Sequence, residues 1–208
     1  MIEENFNGTE LKFVTDKELF SPEWLDKGTK AMLSIAEIPS GSKVLDLGCG
    51  YGFVGIYILK AFKDCEAVMS DIKDNALRLS EENARLNGVS PKIIKSSGFE
   101  SIEDNEFDII LSNPPYHADF SVPKHFIEEG YKRLKTGGML YMVTKRLDWY
   151  KNKITSVFGG VKVYEKDGYY IFCAKKYEHK RKNMQAKKNE SSGKNKLSKK
   201  LARKYNKA

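Results

Sequence analysis

Asn113-Pro114-Pro115-Tyr116 stands directly after the apolar run FDIILS, and an amide, two prolines and an aromatic ring in that order suit one kind of chemistry. An amine attached to a nucleic-acid base is a poor nucleophile, because its lone pair is delocalised into the ring. The Asn113 side-chain oxygen and the Pro114 carbonyl, each accepting one N–H, would draw that nitrogen toward tetrahedral geometry and aim its lone pair outward. Pro114 and Pro115 stiffen the loop and remove N–H donors from it. Tyr116 offers a ring on which a base can stack, and His117 is either a donor to substrate or a solvated loop histidine. A base inside structured nucleic acid has to be extruded to reach such a loop. Taken alone, the four residues are equally a turn.

A second constellation lies about 60 residues upstream, in Asp46-Leu47-Gly48-Cys49-Gly50-Tyr51-Gly52. Glycines there let the backbone bend sharply and let a ligand lie against it. Gly50 to Gly55 also satisfies G-x-G-x-x-G, so glycine count leaves both a nicotinamide dinucleotide and S-adenosylmethionine open. Asp46, two residues before the first glycine, is placed to meet the amino group of a methionine moiety, directly or through water. Asp71, at the end of the next strand, is placed to accept two ribose hydroxyls. Dinucleotide sites share that second acid, so Asp46 selects S-adenosylmethionine; the alternative is a structural turn with Asp46 as its cap. Ser97-Gly98-Phe99 falls where an adenine edge would lie, with Ser97 as polar partner and Phe99 or Ile72 as an apolar wall, unless it is an ordinary turn. Gly28-Thr29 either touches the methionine end or begins a helix. Lys145-Arg146 either grip a substrate phosphate or form a solvated cationic corner.

These residues need a frame, and the hydrophobic pattern supplies one. LKFVTDKELFSPEWLD reads as a short hairpin around Phe13, Val14 and Leu19, followed by a helix through Met32, Leu33, Ile35 and Ala36 that Pro39 stops. Strands are expected at 44–47, 66–69, 92–95, 107–112 and 139–144. Helices are expected through Ile56 to Leu59, over 75–87 with Gly88 beyond it, and over roughly 123–135, closed by Gly137-Gly138. Val161–Tyr164 and Tyr169–Ala174, joined by Glu-Lys-Asp-Gly, read as a final hairpin. The fold class is therefore α/β: a doubly wound, Rossmann-like sheet of the methyltransferase variant, mostly parallel with a reversed last strand.

Charge divides the chain in two. Residues 175–208 hold fourteen Lys/Arg against Glu178 and Glu190, or +12, which leaves −4 of the net +8 on the rest. The expected organisation is a catalytic domain over 1–177, with 1–40 as hairpin and helix leading into it, and a flexible Lys-rich tail over 178–208 suited to following a phosphate backbone. No apolar run approaches a membrane span, and the polar start MIEENFNGTE is no secretory signal. Cys49, Cys65 and Cys173 are far apart, which fits reduced thiols in a cytoplasm and no metal site.

At this point the sequence resembles the small methyltransferase domain shared by bacterial ribosomal-RNA guanine-N2 methyltransferases. The likeness runs over roughly 10–176 and rests on LFSPEWLDKGTKAML, VLDLGCGYG, SNPPYH and GYYIFCAKK. It implies cofactor contacts at Asp46, Gly48, Gly50 and Asp71, and contacts to the target amine at Asn113, Pro114, Pro115 and Tyr116. Two departures stand out: many members have Phe where Tyr116 stands, and ribosomal members often carry a second, degenerate domain for which this chain has no room. The function expected is methylation of an exocyclic base amine, guanine N2 in ribosomal RNA, with S-adenosylmethionine as cofactor and RNA as partner. A protein glutamine, a DNA or tRNA adenine, and a non-catalytic RNA-binding role are the alternatives. The sequence does not set the oligomeric state.

Overall fold

Strands whose side chains alternate between two covered faces make up the centre of the molecule, a computed structural model that describes residues 1–15, 26–114 and 119–178. In chain order the elements are β1 (Ile2–Phe6), β2 (Thr9–Phe13), α1 (Lys27–Ile35), β3 (Lys43–Leu47), α2 (Phe53–Ala61), β4 (Glu66–Asp71) and α3 (Asp74–Leu86). There follow β5 (Lys92–Lys95), β6 (Phe107–Ser112), α4 (Ser121–Arg133), β7 (Leu134–Thr144), α5 (Asp148–Phe158), β8 (Lys162–Lys166) and β9 (Tyr169–Lys175). The chain divides into two units at Tyr177/Glu178. The elements named above belong to the first; the expected tail lies, but for Glu178, outside the described residues.

Seven strands form one sheet in the order β5-β4-β3-β6-β7-β9-β8. Five are parallel, and β9 inserts antiparallel between β7 and β8. This is the mostly parallel sheet with a reversed last strand. In β6, Ile109 and Leu111 join one core while Ile110 joins the other; in β7, Tyr141 and Val143 oppose Leu140 and Met142 in the same way. A strand covered on both sides has no polar face to show, which is why FDIILS reads as continuous apolar sequence. The chain leaves β3 toward β4 on one side and returns to β6 on the other. That reversal opens a crevice at the carboxyl ends of β3 and β6, where ligands bind in open α/β sheets.

Three sequence expectations are corrected. Among the described residues the N-terminal hairpin is β1–β2, which takes 11–13 of the expected 11–26 as the end of its second strand and turns at Asn7-Gly8, both with positive φ. Asn-Gly suits that primed turn, a signal present in the sequence. Residues 16–25, including Leu19, lie outside the described residues. Helix α4 ends at Arg133, and Gly137-Gly138 lie inside β7 at a register shift opposite Phe107–Ile109. Finally, α5 was not expected; Tyr150, Ile154 and Phe158 bury its inner face at helical spacing.

The hairpin is tied to α3 by two buried asparagines one helical turn apart. Asn83 accepts from Val14 N at 2.7 Å and donates to Val14 O at 2.9 Å. Asn87 accepts from Lys12 N at 3.0 Å and donates to Lys12 O at 2.6 Å. Four residues of helix rise about 6 Å and two residues of strand about 6.6 Å, so the two amides stand in for a neighbouring strand.

Candidate active site

The turn between β3 and α2 is held from below. Gly48 N and Cys49 N both donate to Ser70 O at 2.9 Å, and Ser80 Oγ donates to Gly50 O at 2.8 Å. Asp71 sits across it: its Oδ2 accepts Gly50 N at 3.0 Å and its Oδ1 accepts Lys73 N at 3.0 Å. Each carboxylate oxygen keeps a further lone pair, so Asp71 retains the capacity to receive two hydroxyls. Gly48 and Gly50 have φ of 79° and 56°, and a β-carbon at either would project into open space. The turn is a cradle that side chains would fill.

That space is a cleft of about 440 Å³, within the range of small-molecule sites. It brings together Gly48, Gly50, Asp71, Ile72, Ser97, Gly98, Asn113 and Pro114 from the residues expected by sequence. Ile72, 60% exposed, supplies the apolar wall, while Phe99 lies buried in the core. Pro115, Tyr116 and His117 lie outside the described residues.

Asp46, Cys49 and Gly52 stand behind the cradle and do not line the cleft. Asp46 Oδ2 accepts Gly55 N at 3.0 Å, which ties β3 to the first turn of α2. Burial raises its pKa from 3.8 to about 7, against the pull of the Gly55 hydrogen bond and with a smaller push from Asp71. Burial likewise pushes the Cys49 thiol well above its usual value. The sequence put Asp46 against the cofactor or under the turn; its hydrogen bond is under the turn.

Asn113 is anchored from an unexpected direction. Its Nδ2 donates to Asp26 Oδ2 and, at 3.0 Å, to Thr29 Oγ1. Asp26 also accepts Thr29 N at 2.9 Å as the cap of α1 and receives Tyr169 OH at 3.4 Å on its other oxygen. A carboxylate holding the nitrogen end of the amide fixes which end presents oxygen. Gly28-Thr29, weighed from sequence as a cofactor contact or a helix start, stand in the first turn of α1, and Thr29 touches Asn113. Asp26 was missed because its partner is 87 residues away, and its place before a helix announces only a cap.

Two further features escaped the sequence reading, and one pair it named lies elsewhere. Ser70 lines the cleft, and its Oγ is a buried side-chain polar atom with no hydrogen-bond partner. His125 reaches the cleft beside Gly98, where an added β-carbon would meet its ring at 2.7 Å. Its helical spacing from Val122, which also faces the cleft, was the available signal. Lys145 and Arg146 lie off the cleft, over the rings of Tyr169 and Phe120 at 5.0 and 4.9 Å.

The residues present fit S-adenosylmethionine. The cradle leaves room for a main-chain-like moiety, Asp71 suits a ribose, and Ser97 with Ile72 offers a polar edge and an apolar face. Ser70 Oγ is a buried hydroxyl awaiting a partner.

Comparison with known proteins agrees with this frame. The family model described as methyltransferase small domain matches residues 10–173. The protein YbxB of Bacillus subtilis is 34% identical over 171 residues, 79% of this chain and 85% of that one. The ribosomal RNA small subunit methyltransferase C of Psychromonas ingrahamii is 31% identical over 163 residues, 76% of this chain and 46% of its own. Among solved structures, a Thermus thermophilus 16S rRNA guanine-N2 methyltransferase in complex with AdoMet and guanosine aligns with a TM-score of 0.78. It is 24% identical, covering 84% of this chain and 50% of that one, and it speaks for the fold. The chain spans about half the length of the ribosomal-RNA relatives it matches. With the family model spanning most of the chain and YbxB alike over most of both lengths, this chain is a methyltransferase and belongs to the methyltransferase small domain family.

Proposed function

We propose that this protein transfers a methyl group from S-adenosylmethionine to an exocyclic amine of a base in ribosomal RNA, and that the amine is guanine N2. The observation that carries this is the meeting of Asn113-Pro114 with Gly48, Gly50 and Asp71 in one cleft at the carboxyl end of the sheet. The cofactor is S-adenosylmethionine, which supplies an electrophilic methyl group. The relatives named for ribosomal RNA support the substrate class, and the guanine-N2 enzyme of like fold supports the amine.

The chain's own part is orientation. Gly48 and Gly50 would let the cofactor lie on the backbone, and Asp71 would receive its ribose hydroxyls. Asn113, its amide nitrogen tied to Asp26 and Thr29, presents Oδ1 to one amine hydrogen, and the Pro114 carbonyl takes another. With both hydrogens so held, the nitrogen lone pair would be turned outward for attack on the methyl group the cofactor would supply, which lowers the barrier by positioning and preorganised charge. To Tyr116 we assign the ring that stacks on the base, and to His117 the role of a donor to substrate. Residues 1–177 form the catalytic domain, and the fourteen cations of 175–208 hold RNA by its phosphates, in the cytoplasm.

The experiment is incubation with methyl-labelled cofactor and total RNA from cells lacking the protein, followed by nucleoside mass spectrometry. Label in N2-methylguanosine of ribosomal RNA supports the reading. Label in methyladenosine or in protein glutamine would replace the acceptor, and no label in any of them would overturn the reading.

A further inference from the structure

Beyond the cleft, the same rim of the sheet carries a stack of planar groups. Phe120 and Trp149 lie face to face, with centroids 4.5 Å apart and planes at 26°. The Arg146 guanidinium sits 4.9 Å from the Phe120 centroid. Phe120 is 36% exposed, and Arg146 is exposed. By contrast Phe126, on the following helix α4, is 8% exposed and belongs to the core. Core packing accounts for Phe126 and leaves the exposure of Phe120 unexplained.

Position ties the stack to the cleft. Ser121 and Val122, the next residues after Phe120, line it. Ser112 of β6 pairs in register with Met142 of β7. Asn113 and Arg146 therefore emerge from neighbouring strands at one edge. Asp119 and Asp148 are exposed on the same segments and offset Lys145 and Arg146, so net charge is not what this patch offers. It offers planes. A guanidinium backed by an aromatic ring is a surface on which a nucleic-acid base stacks.

We propose that Arg146, backed by Phe120 and Trp149, is a stacking platform for the base next to the methylated nucleotide in single-stranded RNA. This inference rests on the RNA reading above and adds a subsite to it. A target base turned into the cleft leaves its neighbour unstacked at the rim, and the platform replaces the lost stacking partner. Arg146 acts here through its plane, and a phosphate grip is not required of it.

The test uses the full chain and two five-nucleotide single-stranded RNAs with one central guanine, one intact and one abasic at both neighbours. Affinities are measured by fluorescence anisotropy. The intact strand is expected to bind about five- to a hundredfold more tightly, the range for stacking one base. Arg146→Lys keeps the charge and loses the plane, so it should lose most of that preference, as should Phe120→Ala, with melting temperatures as a folding control. An unchanged preference in Arg146→Lys, or none in the wild type, overturns the platform. So does equal competition by a short polyglutamate peptide, which would make the occupant an acidic protein segment. The two readings separate: a platform that holds while no RNA accepts label sinks methyl transfer alone, and labelled RNA with an unaltered Arg146→Lys preference sinks the platform alone.

Discussion

Asp46→Asn isolates the cost of a buried carboxyl under the cofactor turn. In the unfolded chain the group titrates at 3.8, and in the fold burial moves it to about 7. A carboxyl whose folded pKa is raised favours the fold only while protonated. Its contribution is complete below 3.8 and is lost as pH climbs through to about 7. Each pH unit between those two values corresponds to about 1.4 kcal/mol, so the whole loss is on the order of 4 kcal/mol, of which about 2–3 kcal/mol falls between pH 5 and pH 8. Asparagine keeps the shape and an oxygen for Gly55 N, and it does not ionise. Its added N–H donors in a buried site cost about 1–3 kcal/mol, a penalty that does not vary with pH. The stability of Asp46→Asn relative to wild type should therefore rise by about 2–3 kcal/mol from pH 5 to pH 8, whatever its sign at pH 5. Urea unfolding of the cofactor-free proteins at pH 5, 6, 7 and 8 measures this difference. A difference flat to about 0.5 kcal/mol across that window would mean that burial does not raise Asp46, and the reasoning fails.

Asp26→Ala should lower turnover about ten- to a hundredfold, matching loss of a charge-assisted hydrogen bond of about 1.5–3 kcal/mol, with cofactor affinity little changed. Because Asp26 acts through Asn113, the double variant with Asn113→Ala should be no slower than Asn113→Ala alone; additive losses would contradict that coupling. Asn83→Ala strands the backbone groups of Val14 and should destabilise the domain by about 3 kcal/mol in urea, with amide exchange at 2–14 accelerated most. A loss below about 1 kcal/mol would show that water replaces the amide without cost. Truncation after Glu178 should flatten the log–log salt dependence of RNA binding by about 3–7 if the tail engages about 4–8 phosphates. An unaltered slope leaves it without an RNA role.

The sequence by itself determined whatever depends on neighbours in the chain. Apolar segments named every strand of the sheet except for exact ends: the central strands because burial on both faces leaves little choice of residue, and the edge strand β8 because a turn signal joins it to β9. The glycine turn was legible because glycine takes that left-handed backbone at least cost and leaves the space above it open, and Asn113-Pro114 because a strand ends just before it. The helix over 148–158 was missed: its inner face, Tyr150, Ile154 and Phe158, shows only against the sheet that covers it. Tertiary structure alone decided the partners. Asp46 has a carboxylate and a place before glycines in any reading, but only folding turned it toward Gly55 and out of the cleft. Asp26 and Asn113 are 87 residues apart and meet because α1 packs beside β7 and β9 at the edge where β6 ends. Phe120, Trp149 and Arg146 likewise come from separate segments. Side-chain contacts between distant segments leave no periodicity in a sequence, so chemistry that rests on them becomes visible only when the sheet has set its strand order and register.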